Sequence, residues 1–229
     1  MAAMAGRSKR GPVKVSAIID ARGRMPDGAL IAGLKLGQEH LLDRQLRLMP
    51  SEVDECCVLG ADDLSLSETF QDRGVQRVPE AAGMVALAAA LAATRGATVL
   101  LFSAAQPFPD VAEGRRVLAA LRKRAAAGVF QSGRMSLARA QGETVLSSTP
   151  PDHYWTTQWP LGFERRLLEE VLGAAPYTVG ADTMTVCELT LRLGHAIGLV
   201  EGSRSGFPIR DAYDWTLAQA LAAQQRTAA

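Results

Sequence analysis

The sequence contains no asparagine, and only four of its 25 basic residues are lysine, at positions 9, 14, 35 and 123. Any reaction that needs a lysine ammonium group is therefore restricted to very few positions. Histidine and cysteine are also scarce, with three of each. The cysteines form no C-x-x-C pair, and the adjacent Cys56 and Cys57 must point to opposite faces of a strand-like run. We therefore predict buried, reduced thiols and no metal-ligating residues.

Long hydrophobic runs and an excess of one charge are missing as well. The apolar stretches Val85–Ala93 and Val99–Ala105 are too short to cross a bilayer, and polar residues separate them. The basic first dozen residues lack the apolar region of a secretory signal. A formal net charge of +1 creates no general attraction to nucleic acid or to a membrane surface. We expect a cytoplasmic protein that has neither of these as a partner.

The 229 residues are 48% apolar and 21% charged, which is enough apolar material for one α/β domain with a large core. We predict a flexible tail over residues 1–12 and a single domain over residues 13–225. The predicted strands are Val13–Ile19, Val53–Gly60, Val75–Val78, Ala97–Phe102 and Ile197–Glu201. The predicted helices are Gly37–Met49, Ser65–Asp72, Glu80–Thr94, Val111–Ala126, Phe163–Gly173, Met184–Gly194 and Asp211–Ala223. This alternation predicts a doubly wound, mostly parallel sheet.

The pattern changes after Gly128. Short strand-like runs follow one another without a helix of their own, and Gln141–Gly142 is suited to a hairpin turn. We predict an arm over about residues 129–150 that projects from the main body.

Ligands of such sheets bind beyond the carboxyl ends of the strands. The first strand ends at Asp20, Ala21, Arg22 and Gly23, and backbone N–H groups and guanidinium groups in this turn could cradle a phosphate. Because the turn has one glycine where phosphate cradles usually have two or three, an exposed turn is an equal alternative.

The sequence resembles the 2-C-methyl-D-erythritol 4-phosphate cytidylyltransferase family from about Val13 to Leu221. The resemblance is carried by VSAII…GRM (Val15–Met25), VLLFSAAQPF (Val99–Phe108), TTQWP (Thr156–Pro160) and the region that ends in GLVEG (Gly180–Gly202). It implies a Rossmann-like nucleotidyltransferase fold and a homodimer formed through the arm. It also implies a reaction in which CTP, with Mg²⁺, is joined to a polyol phosphate and pyrophosphate is released.

The resemblance also shows which functional positions have changed. The glycine-rich loop is shorter here, and the lysine of the family's P-K-Q segment is replaced by Ile31. The lysine of the N-I-K segment is replaced by Pro208. In the D-A-A-R-P turn the magnesium-binding aspartate is Ser103 and the arginine is Gln106. The nucleotide-facing segment and the acidic T-D-E-A segment correspond to Val78–Val85 and Met184–Cys187, which keep none of the family's functional side chains.

Two arginines keep their places in the resemblance. Arg24 matches the loop arginine, and Arg134 matches an arm arginine that reaches the sugar phosphate across the dimer. We take these two as the candidate catalytic residues. Asp20, Ala21, Arg22 and Gly23 are the candidate cofactor-binding residues.

Three hypotheses follow. The first is a catalytically silent family member that acts as a binding or structural subunit, with nucleotide binding weak or lost and a protein as partner. The second is an active CTP- and Mg²⁺-dependent nucleotidyltransferase with a rewired site that uses Asp20, Arg22, Arg24, Arg134 and Glu201. The third is a protein that binds an unrelated small molecule against Ile31, Phe102 and Pro208.

Overall fold

A seven-stranded sheet forms the centre of the protein. The computed structural model describes residues 15–62, 64, 75–81, 83–177 and 185–227. The strands of the sheet are β1 (Val15–Asp20), β4 (Glu55–Leu59), β5 (Gln76–Val78), β6 (Thr98–Ser103), β7 (Ala126–Ser132), β10 (Trp155–Glu164) and β11 (Gly198–Glu201). They lie in the order β11-β7-β10-β6-β1-β4-β5. Every strand of this sheet except β10 runs in the same direction, which confirms the prediction of a mostly parallel α/β fold.

The two faces of the sheet pack into separate apolar clusters. Residues 16–19 of β1 are all buried, as expected of a central strand that is covered on both sides. Successive side chains alternate between the faces, so Ile18 packs in the cluster around Phe163, whereas Ile19 packs in the cluster around Val117. The sheet is thus covered on both faces, and ligand access is limited to its ends.

The described part of the chain contains six α-helices. They are α1 (Leu41–Arg47), α2 (Gly83–Ala92), α3 (Val111–Ala120), α4 (Arg165–Ala174), α5 (Val186–Arg192) and α6 (Ala212–Thr227). Asp110 begins α3 by accepting a hydrogen bond from the Ala112 N–H at 2.8 Å. Thr185 and Glu188 form a reciprocal capping box at the start of α5. The helix predicted over Ser65–Asp72 lies outside the described residues.

Two helices begin or end several residues away from their predicted boundaries. The helix predicted over Gly37–Met49 begins only at Leu41, because β2 (Lys35–Leu36) and β3 (Glu39–His40) form a short hairpin whose turn holds Gly37 at φ 73°. The helix predicted over Val111–Ala126 ends at Ala120, and the apolar residues from Ala126 onward form β7. Alanine occurs both in helices and in closely packed strands, so the local sequence pattern did not show where the helix ends and strand β7 begins.

Strand β10 was not predicted at all. Pro160 argues against a central strand because it lacks the N–H that a sheet requires. The structure accommodates it at a shift in the pairing register with β7, between Thr157 and Leu161. Phe163, predicted to start a helix, is instead a fully buried residue of this strand. The sheet therefore gains an antiparallel strand between β6 and β7.

The hairpin of the predicted arm stands apart from the main sheet. Strands β8 (Leu137–Gln141) and β9 (Thr144–Thr149) pair only with each other, and nearly all of their residues are exposed. Gly142 takes φ 57° at the tip, where the turn was predicted. Strand β7 belongs to the main sheet as far as Ser132, so only the later part of residues 129–150 projects.

No helix in the described ranges has both the length and the apolar character that a bilayer crossing demands.

Candidate functional site

The turn after β1 is built around an ion pair between neighbouring residues. Arg22 Nη2 lies 2.7 Å from Asp20 Oδ2, and Arg22 Nε donates to Asp20 Oδ1 at 2.9 Å. The Arg22 backbone N–H donates to the same Oδ1 at 3.1 Å. These hydrogen bonds raise the pKa of the Arg22 guanidinium. The Asp20 carboxylate is therefore already satisfied by three donors from one residue.

The rest of the Arg22 guanidinium holds the segment that leads into α2. Its Nη1 donates to the carbonyl oxygens of Ala81 at 3.1 Å and Gly83 at 3.0 Å. Arg22 thus fastens the end of β1 to the start of α2. These donors are used inside the protein, which gives Arg22 a structural role, and its predicted contact with a ligand stays a prediction.

Arg24 is paired as well, but at the surface. Its Nη2 lies 2.7 Å from Glu80 Oε2, and its Nη1 donates to the Gly28 carbonyl oxygen at 3.4 Å. The side chains of Arg24 and Glu80 are 46% and 41% exposed. Arg24 therefore faces solvent at this end of the sheet, where it was expected, with an internal carboxylate as its partner.

Two backbone groups of this turn make hydrogen bonds within the protein. The Ala21 N–H donates to the Leu59 carbonyl oxygen at 3.0 Å, which ties the turn to β4. The Gly23 carbonyl oxygen accepts from the Ile31 N–H at 2.9 Å. A Cβ at Gly23 would lie 3.5 Å from Ile31 Cδ1, an ordinary contact, so close packing does not require glycine there. The phosphate-binding turn and the exposed turn both stay predictions.

An apolar cluster surrounds Ile31, the first of the two positions where the resemblance places a family lysine. Ile31 is 3% exposed and packs with Leu41, Phe108 and Ile209. Phe207 packs against the same cluster, and its ring centroid lies 6.4 Å from that of Phe108. Phe207 and Ile209 flank Pro208, so the chain at the second lysine position passes beside this cluster, which we call the Ile31 cluster.

The side chain of Lys35 does not point into the Ile31 cluster. Lys35 is exposed in β2, whereas the next residue, Leu36, is buried in the Ile31 cluster, so the two side chains point to opposite sides of the strand. Lys14 lies outside the described residues. Phe102 is also 3% exposed but packs in the cluster around Val117. Ile31 and Phe102 therefore pack in different apolar clusters.

The turn after β6 closes onto the loop after β11. Ser103 Oγ accepts from the Ala105 N–H at 3.2 Å, and the Ala105 carbonyl oxygen accepts from the Ile209 N–H at 2.8 Å. Gln106 is buried, and neither polar atom of its amide group has a hydrogen-bond partner among the described residues.

The position that the resemblance assigns to the magnesium-binding aspartate offers no carboxylate. Mg²⁺ in nucleotide sites usually takes one or two protein carboxylates beside the phosphates. The carboxylate after β1 is engaged by Arg22, and the position after β6 carries a hydroxyl group. No group of three or more His, Cys, Asp or Glu side chains suited to a metal occurs within the described ranges.

Sequence reasoning missed a buried polar network beside β11. Glu113 is fully buried and accepts from the Ser203 N–H through Oε1 at 2.7 Å, while Oε2 has no hydrogen-bond partner among the described residues. Gln158 Nε2 donates to the Ser203 carbonyl oxygen and to Gln131 Oε1, each at 3.1 Å. A Cβ at Gly206 would lie 2.7 Å from Gln158 Oε1. In the sequence, Gly202 and Gly206 are the feature that could have indicated this close packing.

Arg134 lies far from the other candidates within one subunit. It is exposed between β7 and the hairpin, next to Gly133, whose N–H donates to the Tyr154 carbonyl oxygen at 3.0 Å. Tyr154 Oη donates to the Met135 carbonyl oxygen. Two strands separate β7 from β1, which places their ends about 14 Å apart. The structure brings Asp20, Ala21, Arg22, Gly23 and Arg24 together and leaves Arg134 apart.

Comparisons with known proteins agree with this architecture. A family model described as 2-C-methyl-D-erythritol 4-phosphate cytidylyltransferase matches residues 19–224. The protein of that name from Halalkalibacterium halodurans is 24% identical over 93% of this chain and 99% of its own length. The one from Salinibacter ruber is 35% identical, but the match spans about half of each protein, 54% of this chain and 52% of the relative.

Solved structures extend the likeness to three dimensions. The crystal structure of 2-C-methyl-D-erythritol 4-phosphate cytidylyltransferase from Thermus thermophilus is similar, with a TM-score of 0.75 and 26% identity over 93% of this chain and 100% of that one. A CMP:2-keto-3-deoxy-manno-octonic acid synthetase shares the fold at a TM-score of 0.69 and 14% identity, over 93% of this chain and 99% of that one. The chain belongs to the 2-C-methyl-D-erythritol 4-phosphate cytidylyltransferase family.

Proposed function

We propose that this family member does not transfer cytidylyl groups at ordinary enzyme rates and acts as a binding or structural subunit. The observation that carries the proposal is the Ile31 cluster. Ile31, at the first position where the resemblance expects a lysine, is buried among apolar side chains, and Pro208, at the second position, cannot carry charge.

Cytidylyl transfer depends on charges placed around the triphosphate, because its transition state is stabilised mainly by electrostatic positioning. Removing one such group typically costs roughly 10² to 10³ in rate. Here the two lysines and the magnesium aspartate are absent together, at Ile31, Pro208 and Ser103. Even when such losses are far from additive, they leave little activity above the uncatalysed rate.

The remaining charges of the site support the same proposal. Asp20 and Arg22 neutralise each other, and Arg24 is neutralised by Glu80. A magnesium triphosphate would therefore meet a surface on which these two arginines already have partners. We expect nucleotide binding to be weak, and we expect the physiological partner to be a protein.

A homodimer through the arm forms part of this proposal. The hairpin exposes apolar side chains that a monomer would leave in water, notably Leu137, Val145 and Leu146, which are 52%, 62% and 47% exposed. Exposed apolar residues grouped on one element are typical of an interaction surface. The pairing would also bring Arg134 of one subunit to the other subunit.

The direct test is release of pyrophosphate from CTP, Mg²⁺ and 2-C-methyl-D-erythritol 4-phosphate, with the Thermus thermophilus relative as the positive control. We expect no release above a protein-free reaction, and little stabilisation by CTP in a thermal-shift assay. Turnover of about 1 s⁻¹ or faster, the ordinary range of enzymes, would refute the proposal. It would support the alternative, an active nucleotidyltransferase that uses Asp20, Arg22, Arg24, Arg134 and Glu201.

A further inference from the structure

The last strand of the main sheet, β11, has one edge without a partner strand. Among the described strands it pairs only with β7, in parallel. The Gly202 N–H donates to the Phe130 carbonyl oxygen at 2.8 Å, so the backbone polar groups of the even-numbered residues point toward β7. Because these groups alternate along a strand, the N–H and C=O groups of Leu199 and Glu201 point the other way. The outer edge of β11 therefore presents donors and acceptors with which another strand can pair.

Exposed leucines mark one face of this edge. Ile197 packs against the cluster around Phe163, and Leu199, two residues later, lies on the same face of the sheet. Leu199 is 50% exposed. Helix α5 packs in the same cluster, and Leu191 and Leu193 at its end are 57% and 37% exposed. This face of the edge thus offers apolar side chains to water.

The opposite face of the edge carries positive charge. A Cβ at Gly198 would point away from the face of Leu199 and would lie 2.9 Å from Arg124 Cδ. The Arg124 side chain therefore lies beside the first residue of β11. Arg122, Lys123 and Arg124 are consecutive and exposed, and none of their side chains has an acidic partner among the described residues.

We propose that the outer edge of β11 binds an extended acidic segment of a partner protein, which adds to the sheet as a further strand. An added strand sends its side chains alternately to the two faces, so apolar residues lie beside Leu199 and acidic residues beside Arg124. The backbone hydrogen bonds supply affinity, and the two different faces select the sequence. The partner is thus a segment in which acidic and apolar residues alternate.

The inference deepens the proposed function and rests on it, because a binding subunit needs a surface for its protein partner. Three strands separate β11 from β1, so a segment bound at this edge leaves the turn after β1 uncovered. The partner surface and the nucleotide site can therefore be tested separately.

The probe is a short labelled peptide in which glutamate and valine alternate, and its binding is measured by fluorescence anisotropy. Arg124→Gln should weaken binding about fivefold, the upper range for an exposed ion pair. The matched control is Arg139→Gln, because Arg139 is also exposed and has no acidic partner among the described residues, but lies on the hairpin. This control should bind the peptide as the unchanged protein does. A peptide of the same composition, with its glutamates and valines in two blocks, should bind about tenfold more weakly.

Hydrogen exchange at single amides tests the added strand directly. The peptide should slow exchange at Leu199 and Glu201 and leave Val200, whose N–H already faces β7, unchanged. Leu199→Pro removes the outward N–H without removing a bond to β7, and we expect it to weaken binding about tenfold. Leu199→Thr keeps this N–H and should weaken binding less. If Leu199→Pro does not fold, hydrogen exchange in the unchanged protein decides.

Several results would overturn the inference. Protection of the Leu199 and Glu201 amides without peptide would show that the edge is already covered, by this chain or by a second copy. No binding of the alternating peptide, equal binding of the block peptide, or an unchanged affinity in Arg124→Gln would remove the selection by strand and charge. Displacement of the peptide by an equal concentration of a single-stranded oligonucleotide would assign the basic residues to nucleic acid.

These titrations contain no CTP and measure no turnover. If the protein proves to be an active enzyme, the proposed function fails while the peptide comparison still decides the role of β11. If the peptide comparison fails, the absence of turnover can still stand.

Discussion

Replacing Ile31 by lysine tests whether the Ile31 cluster is a packed part of the protein or a loosely closed cleft. Ile31 is 3% exposed and packs with Leu36, Phe108 and Ile209. Burial of an isoleucine side chain is worth about 1.5–3 kcal/mol, which the variant forfeits. The new ammonium group must then be buried without a partner or must bend out to water and disturb the packing. We expect Ile31→Lys to lower the free energy of unfolding by about 3–5 kcal/mol.

The measurement is urea unfolding followed by tryptophan fluorescence, to which Trp215 at the edge of the same cluster contributes. Ala29→Lys is the matched control, because Ala29 lies on the same turn and is exposed. It should change the free energy of unfolding by no more than about 0.5 kcal/mol. If Ile31→Lys costs as little as this control, the cluster opens easily. In that case packing has not closed the lysine position at Ile31.

Two other consequences can be measured on the folded protein. Burial raises the pKa of the Glu113 carboxyl group, and the hydrogen bond from the Ser203 N–H opposes this only in part. The folded protein therefore binds this proton more tightly than the unfolded chain does, and ionisation of Glu113 costs stability as the pH rises above its unfolded pKa. Glu113→Gln should be more stable than the parent by about 1 kcal/mol at pH 7, and urea unfolding should show the difference vanish below about pH 4. A less stable variant at pH 7 would mean that the charged Glu113–Ser203 bond dominates. For the arm, sedimentation equilibrium should give a dimer, and Val145→Asp should give a monomer because it places a charge on the apolar hairpin. The control is Leu199→Asp, which changes a 50% exposed position on β11 and should remain dimeric. If Val145→Asp and Leu199→Asp are both monomeric, or both dimeric, an interface through the arm is contradicted.

Local patterns in the sequence were sufficient to predict most strands of the sheet. The buried runs of β1 and β6 are nearly uninterrupted β-branched and apolar segments, and their strand character does not depend on distant residues. The glycine of the hairpin tip, Gly142, likewise marks its turn by itself. The substitutions at Ile31, Ser103 and Pro208 could also be identified from sequence, because the resemblance covers nearly the whole chain.

Tertiary structure decided the elements and partners that depend on distant residues. Strand β10 contains a proline and becomes a central strand only because β6 and β7 flank it and a shift in register accommodates Pro160. Whether Arg22 and Arg24 are free for a ligand depends on where Asp20 and Glu80 lie, and Glu80 is 56 residues from Arg24 in the sequence. Residue type sets what charge a side chain can carry, whereas its partners and burial are set by how the whole chain folds.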